Sequence, residues 1–165
     1  MRHNSSEIAA AFASRNRLMV MEVLGAGIHG CVYLMQRPKA IGGTALKVFQ
    51  YEAFFRREVA VYERLMAASV QGIRGFAVPQ LIGTDEQLLA LEMTVVGRPF
   101  VLDFAGAFLD DQAPEFDREV WEAWEDENRE AFGDRWREVN AVLEILEGHG
   151  IHMLDVNPGN IAFAD

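Results

Sequence analysis

The residues of this chain whose types suggest chemistry begin with a lysine and a glutamate in neighbouring segments. Lys47 interrupts the apolar, strand-like run Thr44–Phe49, where a buried ammonium is costly unless an anion compensates it. Glu58 lies on the apolar stripe of the helix predicted to follow, so it is the obvious anion. Each charge would explain why the other is tolerated. An edge-strand lysine whose ammonium reaches water is the alternative for Lys47.

A second candidate is the turn Asp155-Val-Asn-Pro-Gly-Asn160, which precedes a strand-like stretch. An Asp and an Asn at this spacing, held by a Pro-Gly turn, can respectively receive a hydroxyl proton and bind Mg²⁺. An ordinary turn can contain the same residues. Its position in the chain, after Lys47 and Glu58, favours the functional interpretation.

A third candidate is the glycine-rich segment Gly25-Ala-Gly27-Ile-His-Gly30, which lies between two predicted strands. Glycines let backbone N–H groups approach phosphates without a Cβ in the way. Dinucleotide-binding sites have the same glycine spacing, but there the glycines open a helix, whereas Cys31–Gln36 is strand-like. A glycine-rich hairpin without a ligand is the alternative.

The elements that must position these residues are predicted from hydrophobic periodicity. The pattern predicts helices over 4–16 and 51–68 and strands over 18–24, 31–36, 44–49, 78–83 and 87–94. After residue 97 the pattern becomes helical, and Gly133 divides it into two helices. The acidic residues between positions 110 and 138 are interpreted as a solvated helix face. We therefore expect an α+β fold with a five-stranded antiparallel sheet, one interposed helix and a helical remainder.

Composition restricts the partners of the protein. The chain has 165 residues, 50% of them hydrophobic, and a formal net charge of -10. The negative charge argues against nucleic acid or an anionic membrane as a partner, because both require a basic face. The single cysteine, Cys31, cannot form an internal disulfide, and neither a secretory signal nor a membrane-length apolar run occurs. We expect a soluble cytoplasmic protein.

In their order along the chain, which is the glycine-rich segment, then Lys47 and Glu58, then the Asp155–Asn160 turn, the three candidates resemble the protein-kinase-like superfamily. The resemblance extends over residues 24–163. It implies a single kinase-like domain that binds ATP and Mg²⁺. It also implies an N-terminal helix (1–16), an N-lobe with the five-stranded sheet (17–96), and a reduced helical C-lobe (97–165) with a catalytic loop at 150–160.

The resemblance implies a role for each candidate residue. The phosphate-covering loop would contain Gly25, Gly27 and Gly30; the adenine pocket Val32 and Ala45; and the hinge Leu91, Glu92 and Met93. Lys47 would bind the α- and β-phosphates, with Glu58 as its partner in the helix. Asp155 would be the catalytic base and Asn160 a ligand of Mg²⁺.

The sequence departs from the family pattern in the catalytic loop and beyond it. Met153 stands where the family usually has His or Tyr, and Asn157 where eukaryotic-type protein kinases have Lys. The loop is more similar to small-molecule and atypical kinases such as aminoglycoside phosphotransferases. The family continues to an Asp-Phe-Gly triplet whose Asp binds magnesium, and no such triplet occurs here. Asp165 is the residue expected to replace it.

Three functional classes follow from these residues. The first is a magnesium-dependent phosphotransferase that uses ATP and a hydroxyl acceptor, either a protein or a small molecule. The second is a pseudokinase that binds a nucleotide or a partner without catalysis, which the missing triplet favours. The third is a structural domain without a nucleotide, in which the motifs only stabilise the sheet and the turn.

Overall fold

The computed structural model describes residues 4–110 and 112–165 of the chain. Its elements, in chain order, are α1 (Ser5–Asn16), β1 (Met19–Ala26), β2 (Gly30–Gln36), β3 (Thr44–Phe49), α2 (Glu52–Ala67), β4 (Gly72–Ile73), β5 (Phe76–Ala77), β6 (Leu81–Asp85), β7 (Ala90–Thr94), β8 (Phe100–Val101), β9 (Ala107–Leu109), α3 (Arg118–Phe132), a 3-10 turn (Gly133–Arg135), α4 (Trp136–Gly148), β10 (Ile151–Met153) and β11 (Ile161–Ala162). None of the helices in these two ranges is both long and apolar enough to cross a membrane.

The predicted five-stranded antiparallel sheet is confirmed, with strand order β1-β2-β3-β7-β6. Its central strand β3 is covered on both faces, because side chains alternate across a strand. Leu46 and Val48 pack in the cluster that contains α1, whereas Ala45 and Phe49 belong to the cluster that contains α2. Lys47 shares the second face with Ala45 and Phe49. It therefore points towards α2.

Helix α2 confirms the predicted interposed helix and buries the stripe Phe55, Glu58, Val61, Tyr62 and Leu65. The aromatic rings of Phe49 and Phe55 pack edge to face with centroids 5.6 Å apart, which fixes the helix on the sheet. Met66, near the end of the helix, is 54% exposed. Glu58 is fully buried, at 0% exposure.

The segment after residue 97 differs from the prediction, because short strands precede its helices. Strand β8 joins a four-stranded sheet of order β11-β8-β5-β4, and β9 pairs with β10. Strands of two or three residues are too short to show an alternation in the sequence. The division of the helical part at Gly133 is confirmed by the 3-10 turn between α3 and α4.

These short pairings bring two distant segments together. Strand β8 is antiparallel to β11, with Val101 opposite Ile161, and β9 is antiparallel to β10, with Phe108 opposite His152. The backbone N–H of Leu102 also donates to the carbonyl of Asn160 over 2.9 Å. The segment 100–109 therefore lies directly beside the predicted catalytic loop.

Candidate functional site

A cavity of about 640 Å³ lies between the five-stranded sheet and the short strands. Most of the predicted site residues line it: Gly25, Gly27, Gly30, Val32, Ala45, Lys47, Met93, Asp155 and Asn160. This volume is within the usual range for sites that bind small molecules. The structure thus places the three sequence candidates around one cleft.

The structure gives different physical reasons for glycine at the three predicted positions. A Cβ on Gly30 would lie 2.1 Å from the carbonyl oxygen of Val48, so the approach of β3 requires glycine there. A Cβ on Gly25 or Gly27 would meet nothing within 4 Å. Packing therefore explains Gly30, whereas Gly25 and Gly27 leave their backbone open towards the cleft.

Lys47 is held between two carboxylates. Its Nζ donates to Glu58 Oε2 over 2.6 Å and to Asp103 Oδ1 over 2.7 Å. The residue is 3% exposed. Burial by itself lowers the pKa of Lys47, but the charges of Glu58 and Asp103 outweigh it and hold that pKa above its ordinary value. The ammonium of Lys47 therefore stays charged.

The two carboxylates that face Lys47 are shifted in opposite directions. Burial raises the pKa of Glu58 more than Lys47 lowers it, and Glu58 Oε1 has no hydrogen-bond partner among the residues that the structure describes. Burial also acts to raise the pKa of Asp103. This effect is outweighed, chiefly by the charge and the hydrogen bond of Lys47, so the pKa of Asp103 lies below its ordinary value. Of the two carboxylates, Asp103 is thus the one that remains ionised more easily.

Asp103 is a site residue that the sequence analysis missed. It has φ = 63°, a left-handed conformation that Asp tolerates better than most residues. The next residue, Phe104, is fully buried with its ring against Tyr62. A Cβ on Gly106 would lie 2.8 Å from Asp155 Cβ, so glycine is required where this segment crosses the catalytic loop. The sequence signal that could have identified Asp103 is the pair Asp103-Phe104, followed two residues later by Gly106.

The predicted catalytic loop is fixed by hydrogen bonds among its own residues. Asn160 Nδ2 donates to the carbonyl of Asp155 over 2.9 Å, and Asn157 Oδ1 accepts from the N–H of Gly159 over 2.8 Å. Asn157 Nδ2 donates to Asp155 Oδ1 over 3.2 Å. The Asp155 side chain is 40% exposed, so its carboxylate can meet a molecule that enters the cleft.

Helix α3 supports this loop from outside. Trp124 Nε1 donates to the carbonyl of Leu154 over 2.9 Å, directly before Asp155. The ring of Trp124 also packs against Trp136 at a centroid distance of 6.1 Å. The α3 aromatic thus links the loop to the start of α4.

His29 of the glycine-rich segment reaches across the cleft to the same acidic groups. Its Nδ1 lies 3.4 Å from Asp103 Oδ1 and 3.8 Å from Asp155 Oδ2. A histidine inside a glycine turn carries no separate sequence signal, so the role of His29 is visible only in the structure.

The hinge prediction is corrected by the structure. Met93 lines the cleft together with Thr94, Val95 and Val96, whereas Leu91 and Glu92 do not. Glu92 points away because neighbouring residues of a strand face opposite sides, and its Oε1 accepts from Thr44 Oγ1 over 2.6 Å. Leu91 is fully buried in the core.

The backbone of the corrected hinge is partly available. The N–H of Thr94 donates to the carbonyl of Gln80. Within the ranges 4–110 and 112–165, neither Val95 nor Val96 makes a backbone hydrogen bond outside the regular strands. Their polar groups can therefore meet a ligand or water.

The prediction for Asp165 is also corrected. Its side chain is 98% exposed and lies 3.4 Å from Arg98, outside the cleft. Closeness to Asn160 in the sequence was the reason for the prediction, but the chain leaves the cleft along β11. Asp103, not Asp165, is the additional carboxylate beside Asn160 and Asp155.

The cleft suits a hard cation only together with a ligand. No group of three or more His, Cys, Asp or Glu side chains among the described residues could hold a metal ion. Asp103 and Asn160 are oxygen donors of the type that Mg²⁺ prefers, and Mg²⁺ usually needs only one or two protein ligands beside phosphates and water. The residues present therefore fit a cation that arrives with a phosphate group.

No protein-family model and no curated protein matches this sequence. Among solved structures, a mutant of the PknI kinase domain of Mycobacterium tuberculosis is 23% identical to this chain, with a TM-score of 0.41. The match covers 87% of this chain and 53% of the kinase-domain chain. A double mutant of that domain is 22% identical with a TM-score of 0.33, at 80% and 47% coverage. The chain spans about half the length of these kinase domains.

Proposed function

We propose that this chain has a protein-kinase-like fold, binds Mg-ATP in the cleft and transfers its terminal phosphate to a hydroxyl acceptor. The observation that carries the proposal is the buried Lys47 between Glu58 and Asp103, in the same cavity as Asp155 and Asn160. The N-lobe of this fold would comprise residues 17–96 and the C-lobe residues 97–165.

The apolar end of the cleft suits an adenine ring. Val32 and Ala45 line this end from the sheet, and Met93 lines it from the strand that leads into the hinge. The free backbone groups of Val95 and Val96 supply the polar contacts that an adenine edge needs. Leu91 and Glu92 take no part in this contact, because neither lines the cavity.

The opposite end suits phosphates. Gly25 and Gly27 present backbone without a side chain in the way, and Lys47 supplies a positive charge that burial keeps from water. Glu58 orients the Lys47 ammonium from the side of α2, over a 2.6 Å contact. Lys47 can therefore exchange its contact with Asp103 for a phosphate oxygen without losing its support from Glu58.

Asp103 and Asn160 are the residues that would hold Mg²⁺, and both line the phosphate end of the cavity. When bound with the nucleotide, Mg²⁺ neutralises the charge that develops on the transferred phosphate. Asn160 is held in place because its Nδ2 donates to the carbonyl of Asp155.

Asp155 is the group that would act as the base. Its carboxylate accepts the proton of the acceptor hydroxyl as the acceptor oxygen bonds to the terminal phosphorus and the bond to the ADP oxygen breaks. Asn157 restrains the carboxylate through its 3.2 Å contact with Oδ1. The acceptor is a protein or a small molecule with an accessible hydroxyl.

The alternative is a pseudokinase that binds a nucleotide or a partner without transfer. Its main support was the missing Asp-Phe-Gly triplet. Asp103 weakens that support, because it brings a carboxylate to the metal end of the cleft from an earlier position in the chain.

Phosphate release from radiolabelled ATP at high magnesium tests the proposal, with water serving as acceptor. We expect Asp155→Asn to lower the rate about 100-fold or more, since a positioned base contributes about 10² to 10⁴, while ADP binds with unchanged affinity. Asp126→Asn, which removes a 78% exposed carboxylate on α3, is the matched control and should behave as wild type. Equal rates for wild type and Asp155→Asn, with ADP bound, would favour the pseudokinase. Absence of ATP binding at millimolar concentration would reject the whole proposal.

A further inference from the structure

His29 is the buried member of an otherwise open segment. It is 7% exposed, whereas the adjacent Ile28 is 77% exposed. A polar ring in a glycine turn normally reaches water, because burying it without good partners costs free energy. The contacts of the ring must therefore compensate for its burial.

The ring faces two carboxylates of the cleft, those of Asp103 and Asp155. Nδ1 lies 3.4 Å from Asp103 Oδ1 and 3.8 Å from Asp155 Oδ2. The ring thus stands between the carboxylate proposed to hold the metal and the carboxylate proposed to act as base. This is the space that a terminal phosphate and its cation would need.

Two further contacts enclose the ring. Phe54 packs on it edge to face with centroids 4.7 Å apart, and Phe54 precedes Glu58 by one turn of α2. On another side, a Cβ on Gly106 would lie 3.6 Å from the Cε1 of His29. The ring is therefore packed into the phosphate end of the cleft, between α2 and the segment that carries Asp103.

We propose that His29 closes the terminal-phosphate end of the cleft in the nucleotide-free protein and is displaced by the terminal phosphates of a nucleotide. The inference rests on the proposed function, because it concerns the same cleft. The imidazole and a phosphate with its cation require the same space between Asp103 and Asp155, so only one of them is there at a time. With the ring displaced, Asp103 would be free to hold the cation and Asp155 to meet the acceptor hydroxyl.

This closure makes His29 a residue that discriminates among ligands. Adenosine has no phosphate and occupies only the apolar end, so it binds whether or not the ring is in place. ADP and ATP must displace the ring, and their apparent affinity is reduced by the fraction of molecules that is closed. A cleft that is open about one-tenth of the time binds its ligand about tenfold more weakly.

Calorimetric titration with adenosine, ADP and ATP in the presence of Mg²⁺ tests the inference. The proteins are wild type, His29→Ala and Ile41→Ala; the last is the control for shortening an exposed side chain outside the cavity. We expect His29→Ala to bind ADP and ATP about tenfold more tightly than wild type, with unchanged affinity for adenosine. Ile41→Ala should leave the ratio of ADP to adenosine affinity as in wild type.

A second variant keeps the test decisive if His29→Ala does not fold. Phe54→Leu removes the aromatic contact that holds the ring, and it should shift the ratio of ADP to adenosine affinity in the same direction by a smaller factor. An unchanged ratio in the folded variants would overturn the inference while leaving the proposed function intact. A weaker affinity of His29→Ala for ADP would also overturn it, since the ring would then be a phosphate ligand. If wild type bound none of the three ligands, the proposed function would fail first.

Discussion

Two regions of the cleft fix their charged groups by different means. Lys47 and Glu58 are 3% and 0% exposed and are held by the packing of α2 on the sheet. Asp155, in contrast, has a 40% exposed side chain, in a loop whose own side chains hydrogen-bond near neighbours in the sequence. The first region is part of the core, whereas the second is a local turn at the surface of the cleft.

This difference separates stability from chemistry. A buried charge without its partner destabilises the folded state strongly, because no water replaces the lost contact. An exposed carboxylate can be changed at little cost in stability, because water solvates the group that remains. Substitutions at Lys47 should therefore affect folding and binding together, whereas substitutions in the loop should affect mainly the transfer step.

The largest expected effect is that of Lys47→Met. This change leaves Glu58 buried without its cation, which typically lowers the free energy of unfolding by about 3–5 kcal/mol. Urea unfolding should show this loss, and titration with ADP should show weakened binding. The double variant Lys47→Met/Glu58→Gln should regain part of the stability, because its buried amide carries no charge. Independent effects of the two substitutions would mean that the pair is not coupled.

The sequence was sufficient to predict the part of the site that rests on long elements. Strand β3 and helix α2 extend over enough residues for their periodicities to be recognised. Lys47 and Glu58 were found because each interrupts an apolar pattern. Glu92 was assigned to the wrong place, although the alternation along β7 is enough to turn it away from the cleft once Met93 faces inward.

Asp103 could not be placed in the same way. Its position depends on pairings between two-residue and three-residue strands that lie far apart in the sequence, and such pairings leave no periodic signal. The family resemblance directed attention to residues after Asn160, and so to Asp165. In the structure this carboxylate is that of Asp103, in a segment that precedes Asn160. The order of the motifs along the chain does not indicate this.

The second-largest expected effect distinguishes Asp103 from Asp165. Asp103→Asn should raise the magnesium concentration required for half-maximal stabilisation by ATP about tenfold or more, equivalent to ~1.4 kcal/mol, because an amide is a weaker ligand than a carboxylate. Asp165→Asn is the matched control and should leave it unchanged, since its side chain is 98% exposed outside the cleft. Thermal melting over a magnesium series measures both. The same shift in both variants, or a shift only in Asp165→Asn, would contradict the assignment of Asp103.

The smallest expected effect concerns the support of the loop by α3. Trp124→Phe keeps a ring against Trp136 but removes the 2.9 Å hydrogen bond to the carbonyl of Leu154, and one such bond contributes about 0.5–1.5 kcal/mol. The free energy of unfolding should fall by that amount. Because Leu154 directly precedes Asp155, the rate of phosphate release should fall while the affinity for ADP stays constant. Trp121→Phe, at a ring that is 39% exposed, is the control and should change neither quantity. A loss of ADP affinity in Trp124→Phe would mean that the loop and the Lys47 region are not separable in the way their burial indicates.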